Sequence, residues 1–202
     1  MNSTAQIAGI VAMTAVAAMA AENHAEMTRM ERTVPVCVEG IGSDVLAQAE
    51  PIASKMFLSI GVTIEWRLQG RHCPPLAIQI SLSDRTPATM LPGALAYAVP
   101  GQGTQIRLFY DRISEYHEPK LVRCLLAHVL VHEITHILQG VCRHSDHGVM
   151  KAHWEQKDYA DMIWATLPFA DEDIDLIYSG LLTRTTRAMM AANAAPAVAV
   201  RQ

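Results

Sequence analysis

The chain has no basic stripe and only a mild net charge of −4. Phosphate binding needs a basic footprint, so a nucleic-acid partner is not expected. Its four cysteines, Cys37, Cys73, Cys124 and Cys142, include no C-x-x-C pair, which excludes a zinc ribbon. The only apolar run near the start, Ile7 to Ala21, is too short and too weakly apolar for a stable membrane span. That run has no Lys or Arg before it, but Ala18-Met19-Ala20 fits an A-x-A cleavage site. Residues 1–21 therefore read as a secretory signal peptide of a secreted or periplasmic protein, or else as an extension of a cytoplasmic one. Residues 22–32 read as a polar linker.

What is present is ample apolar material: half of 202 residues, enough for the core of one domain. Val34 to Val38 is strand-like. Ser43 can cap a helix reaching Ser59, with Val45, Ala49, Ile52, Met56 and Ile60 at helical spacing and Pro51 as a potential kink. Val62 to Leu68 and Leu76 to Leu82 alternate as strands. Trp154 to Leu167 reads as a helix. So does Asp171 to Leu182, with Ile174, Ile177, Tyr178 and Leu181 on one side. From 184 to 202 the chain is Ala-rich without turn or cap signals, and a frayed, flexible tail is expected.

The informative stretch is His132-Glu133-Ile134-Thr135-His136, an H-E-x-x-H pattern. Pro119 fits the first turn of a helix and Gly140 its end, with no Gly or Pro between them. On that helix the two histidines lie one turn apart on one face, where both can grip one zinc ion. Leu121, Leu125, Val129, Ile134 and Leu138 form an apolar stripe. Leu126, Leu130, Val131 and Ile137 extend it nearly all round, so the helix should be buried. Buried polar groups need partners, and a metal would satisfy His132, Glu133 and His136 together. The plainer alternative is a helix whose polar end meets solvent. His117, His128 and His153 read as surface or hydrogen-bonded core residues.

A catalytic zinc usually takes a third protein ligand. Beyond Gly140 the chain offers Cys142, His144, Asp146 and His147. The stretch resembles the metzincin metalloproteases, whose pattern is H-E-x-x-H-x-x-G-x-x-H followed by a methionine turn. Here the glycine comes one residue late, and seven residues (Ile137 to Arg143) rather than five separate His136 from His144. Strict spacing would select Cys142. A longer turn selects His144, which is favoured because His144-Ser145 resembles the His-Ser of the matrixin branch; His147 stays open. Gly148-Val149-Met150 resembles the methionine turn, with Met150 as the floor beneath the ligands. Lys151 follows, without the proline common in the family.

Gly93 to Asp111 is similar to the matrixin edge-strand region, where a Leu-Ala-x-Ala strand leads through a loop to Phe-x-Asp. The resemblance makes Leu95, Ala96, Tyr97 and Ala98 the substrate-binding edge, pairing with an extended peptide. Tyr97 stands where a histidine would hold a structural metal, and the loop has no acidic cluster, so one zinc ion is expected and no second metal. The implied fold is α/β (α+β), zincin/metzincin-like. It has a mixed twisted sheet with an antiparallel edge strand, an active-site helix, a Met-turn and C-terminal helices.

Residues 33–183 would then be a zinc metalloendopeptidase domain, monomeric, acting on a peptide or protein. His132, His136 and His144 would hold the zinc, and Glu133 would serve as general base. A zinc-binding protein of the same fold without general protease activity is the alternative. Cys37 and Cys73 could bridge if adjacent, and Cys124 reads as a packed free thiol. The eleven residues from Glu22 to Arg32 are too few for a folded pro-segment and hold no Cys for a matrixin-type switch.

Overall fold

The strand-like segments and the edge-strand region become five strands: β1 (Thr33–Glu39), β2 (Thr63–Leu68), β3 (Ile78–Ser83), β4 (Ala96–Ala98) and β5 (Gln105–Phe109). They join in one sheet of order β2-β1-β3-β5-β4. β1, β3 and β5 are parallel, and β4 is antiparallel to β5 at the sheet's edge. The structure is a computed structural model that describes residues 32–39, 43–68, 72–99 and 103–194. The described elements from Val34 onward belong to one compact unit. The signal-peptide segment 1–21, linker residues 22–31 and the last tail residues, 195–202, lie outside the described residues.

Five helices accompany the sheet among the described residues: α1 (Ser43–Leu58), α2 (Tyr110–Ser114), α3 (Pro119–Gln139), α4 (Gln156–Trp164) and α5 (Asp171–Ala194). The buried stripe of α1 runs through Leu46, Ala49, Ala53, Met56 and Phe57, displaced from the expected one. Val45, Ile52 and Ile60 only flank it. Pro51 lies inside α1 on its exposed side.

α3 is bounded as its sequence dictates. The Glu118 carboxylate accepts from the N–H groups of Lys120 (3.1 Å) and Leu121 (2.5 Å), Pro119 opens the helix, and Gly140 closes it at φ 72°. α3 is long and apolar enough to cross a membrane, but 72% of its most apolar window is buried in the fold, so it is a core helix. It packs on α1, on α5 and on the edge strand β4.

Several boundaries differ from the sequence reading. α4 is shorter than Trp154 to Leu167. Glu155 and Asp158 form a reciprocal capping box that starts the helix later and leaves Trp154 in the preceding loop. α5 runs past Leu182, through part of the expected tail, to Ala194; its Ala-rich sequence has high helix propensity. The strand expected to end at Asp111 stops at Phe109, and Asp111 lies in α2. Its carboxylate accepts from the Thr86 N–H (2.9 Å) and Thr86 hydroxyl (2.8 Å), so it ties a loop down rather than extending the strand.

Cys37 and Cys73 form a disulfide across 36 residues of sequence separation. Cys124 is a buried free thiol and Cys142 an exposed one. Cys37 alternates with Val36 and Val38 along β1, yet all three are buried. Closing a loop of this length limits the unfolded ensemble by up to about 4 kcal/mol. Reductant, or Cys37→Ser with Cys73→Ser, should therefore lower the urea midpoint substantially. A midpoint unchanged by reductant would show that the bridge contributes nothing.

Candidate metal centre

His132 and His136 lie one turn apart on α3, and each ring is oriented by a backbone carbonyl. His132 Nδ1 is 2.9 Å from the Val149 oxygen, and His136 Nδ1 is 3.2 Å from the Val141 oxygen. A carbonyl oxygen can only accept, so both Nδ1 atoms carry the hydrogen. Each Nε2 is left with a lone pair, and the two Nε2 atoms face one another at 3.0 Å. Two nitrogens bound to one tetrahedral zinc at 2.0–2.1 Å would lie about 3.3 Å apart. Facing lone pairs repel unless a cation or a proton sits between them.

A proton is disfavoured there. Burial above all, then the charge of His136, brings the His132 pKa down to about 3. Burial, then the charge of His144, brings His136 down to about 4. Both rings are therefore neutral at ordinary pH, the state in which imidazole binds metal.

His144 completes the group. Ring nitrogens of His132, His136 and His144 lie within 4.8 Å of one another, so the three could hold a metal ion. The His144 ring lies 5.2 Å from that of His132 and 5.0 Å from that of His136, centroid to centroid. His144 is solvent-exposed, so this side of the group is open. Cys142 and His147 are exposed and stand outside the group. α3 continues one residue further than the family pattern allows, to Gln139, and Gly140 donates back to the His136 carbonyl at 2.9 Å. The two extra residues between His136 and His144 are absorbed by this longer helix and the loop after it.

His128 does not join. Its Nδ1 bonds the Cys124 carbonyl (2.7 Å), and its Nε2 accepts from the Leu167 N–H (3.0 Å). Both ring nitrogens of this fully buried side chain are thus occupied.

Glu133 follows His132 and is half-buried. Burial pushes its pKa up to about 7. Among the described residues its carboxylate makes no hydrogen bond or ion pair. A carboxyl balanced near neutrality and free of partners suits a proton acceptor.

These shifts contribute to the acid response of the metal-free protein. The unfolded chain takes protons on His132 and His136 below about 6.5, whereas the folded chain resists until about 3 and 4. Their contribution is intact above 6.5 and is lost as pH falls toward 4. Glu133 acts in the opposite sense. Its folded pKa is raised, so its contribution is full below about 4.5 and disappears as pH rises through 7. His128 and His144 are lowered by burial in the same sense and Glu50 is raised like Glu133, so the histidines outnumber the glutamates and metal-free protein should melt at progressively lower temperature between pH 6.5 and 4.5. Melting temperatures that stay flat across that window would contradict this charge assignment.

Met150 is fully buried within a tight turn. Gly148 has φ 76°, and a Cβ there would lie 2.2 Å from the Pro168 oxygen. The Val149 N–H donates to that same oxygen (2.8 Å), while the Val149 carbonyl receives His132. The Met150 carbonyl accepts from the Ser145 N–H (2.8 Å). The turn after His144 thus directly orients a residue of the histidine group.

The four edge residues divide by backbone direction. Phe109 N–H donates to the Leu95 carbonyl (2.9 Å), and Tyr97 faces Arg107 in the β4–β5 register. Bonded and non-bonded pairs alternate in an antiparallel ladder, so Tyr97 commits its backbone to β5. Ala96 and Ala98 turn their N–H and C=O groups toward the open edge. The Tyr97 side chain lies on the opposite sheet face, where it lines a 680 Å³ open concavity with Gln79, Gln105 and Arg107. Arg112 holds the approach to β4, donating to the Leu91 and Ala94 carbonyls at 2.7 Å each.

Sequence reasoning missed two neighbours of the group. Trp154 sets its ring edge-on to His132, with centroids 5.7 Å apart, and its buried indole N–H has no hydrogen-bond partner among the described residues. Its place after Met150 was the only signal. Asp173 is fully buried behind the loop that carries His144, bonded to Ser145 and Arg143. In sequence it is one acid among the three that open α5.

Among solved structures, the fold is similar to archaemetzincin from Methanopyrus kandleri. The TM-score is 0.51 with 14% identity, covering 75% of this chain and 97% of that one. At this identity the likeness is one of fold: a mixed α/β arrangement with a five-stranded sheet. No family model matches the sequence, and no curated protein matches it.

Proposed function

We propose that this chain is a zinc-dependent metalloendopeptidase of the metzincin kind, with His132, His136 and His144 as zinc ligands and Glu133 as general base. The observation that carries the reading is the pair of Nε2 atoms 3.0 Å apart, each ring with its Nδ1 on a backbone carbonyl and a third imidazole beside them. This donor set is the three-histidine type used at catalytic zinc, with an open side. The sequence resemblance to metzincins and the archaemetzincin-like fold both support it.

When bound, the ion supplies Lewis acidity, which makes a water molecule a nucleophile near neutral pH and offsets developing negative charge. The chain's own part is positioning and proton transfer. A carboxylate oxygen of Glu133 takes the proton of the attacking water and delivers it to the leaving amine. A dication close by would lower the Glu133 pKa from about 7, favouring the carboxylate needed for the first step. Outward-turned backbone groups of Ala96 and Ala98 would pair with an extended peptide, giving orientation with little side-chain selectivity. Met150, which follows the Val149 carbonyl that receives His132, would be the methionine-turn residue. The disulfide supports a secreted or periplasmic location, because such bridges persist in oxidising compartments.

The test is zinc content by native mass spectrometry together with cleavage of an unfolded protein. One zinc per chain with chelator-sensitive cleavage is expected. Zinc without cleavage would replace the peptidase with a zinc-binding protein, and a chain unable to take up zinc would overturn the whole reading.

A further inference from the structure

Asp173 has no surface at all, which is unusual for an acid in the first turn of a helix. The ordinary role at that position is capping. Its Oδ2 does accept from the Ala170 N–H (3.3 Å), ahead of α5. An exposed carboxylate would serve that purpose as well. Instead this one points inward and collects donors from the loop that follows α3. Ser145 Oγ lies 2.8 Å from each of its oxygens. Arg143 reaches it at 3.1 Å and Gln139 Nε2 at 3.2 Å. Arg143 also pairs with Glu172.

The spacing of these contacts matters. Arg143 and Ser145 flank His144 in a segment without regular secondary structure. Both neighbours are held on Asp173, while the His144 ring itself lies beside those of His132 and His136. Gln139, at the end of α3, fixes the near end of the same loop.

We propose that Asp173 is the positioning residue for the third metal ligand: by clamping Arg143 and Ser145 on either side of His144, it holds that imidazole ready for the ion. The proposal rests on the zinc reading above. Because His144 is otherwise exposed, an unclamped ring would have to be ordered at the moment of binding, and metal affinity would fall. Outer partners of this sort typically change metal affinity by about 10- to 100-fold.

The experiment measures Zn²⁺ affinity against a competing chelator, with Co²⁺ absorption reporting the geometry of the bound ion, for Asp173→Asn and Ser145→Ala. Ser145→Ala leaves the Arg143–Asp173 ion pair in place, so it decides the matter should Asp173→Asn fail to fold. Both should weaken zinc by about 10-fold or more and alter the cobalt spectrum. In a His144→Ala background, Asp173→Asn should cause no further loss of affinity, since the residue it positions is gone. A purely structural Asp173 would weaken the remaining pair as well. Wild-type zinc binding with unchanged affinity in both variants, or a full additional loss in the His144→Ala background, overturns the clamp while leaving the metal site standing. A wild-type chain that binds no zinc overturns both.

Discussion

The Glu133→Gln protein should retain one zinc per chain and hydrolyse an unfolded protein about 10²- to 10⁴-fold more slowly than the parent, the range usual for losing a general base. Glutamine keeps the shape of the side chain and removes its ability to take a proton. His132, His136 and His144 do not depend on Glu133 for their orientation. Two of them are set by the carbonyls of Val149 and Val141, so metal content should be unaffected. His136→Ala is the contrasting case: on the zinc-peptidase reading it removes a ligand and should abolish metal uptake along with activity. A Glu133→Gln enzyme of undiminished turnover would remove Glu133 from the mechanism.

Gly180→Ala should be strongly destabilising. Glycine inside a helix is worse than alanine by about 1 kcal/mol, so on propensity alone the change would stabilise α5. Packing reverses the sign. A Cβ at position 180 would fall 1.7 Å from the Leu138 carbonyl oxygen and 2.8 Å from its carbon, both backbone atoms. No rotamer change relieves that overlap, so α5 must move off the last turn of α3. A loss on the order of 4 kcal/mol or more is expected, with a large drop in melting temperature. Gly103→Ala, where an added Cβ meets nothing within 4 Å, is the control and should change stability by under about 0.5 kcal/mol. Equal melting temperatures for the two variants would mean that α5 does not sit this close to α3. Leu138 lies two residues beyond His136, so the displacement should also weaken zinc binding.

Both predictions concern α3, the element most legible in the sequence. Pro119, the uninterrupted apolar run and Gly140 fixed its ends because these are local backbone preferences, independent of the rest of the fold. β2 and β3 were legible from alternation for the same reason, whereas β4 and β5 were read only from the matrixin resemblance. Elements governed by side chains at a distance were harder to read. α4 begins at a capping box whose glutamate and aspartate look like ordinary surface charge. Asp111 resembled the end of a strand, and only the fold shows it reaching Thr86. The third histidine could not be decided by counting. Strict spacing pointed to Cys142 and the His144-Ser145 resemblance to His144, and the ring nitrogens that lie together include those of His144. Asp173 gave no local sign of being buried, since its inward direction depends on where α5 crosses the end of α3.

The shortness of β4 has a kinetic consequence on the peptidase reading. Its free margin offers four backbone groups, two each from Ala96 and Ala98, and each bond formed there is worth only about 1 kcal/mol net. Cleaved fragments held by so few contacts would dissociate rapidly, so turnover should be governed by bond breaking rather than by release.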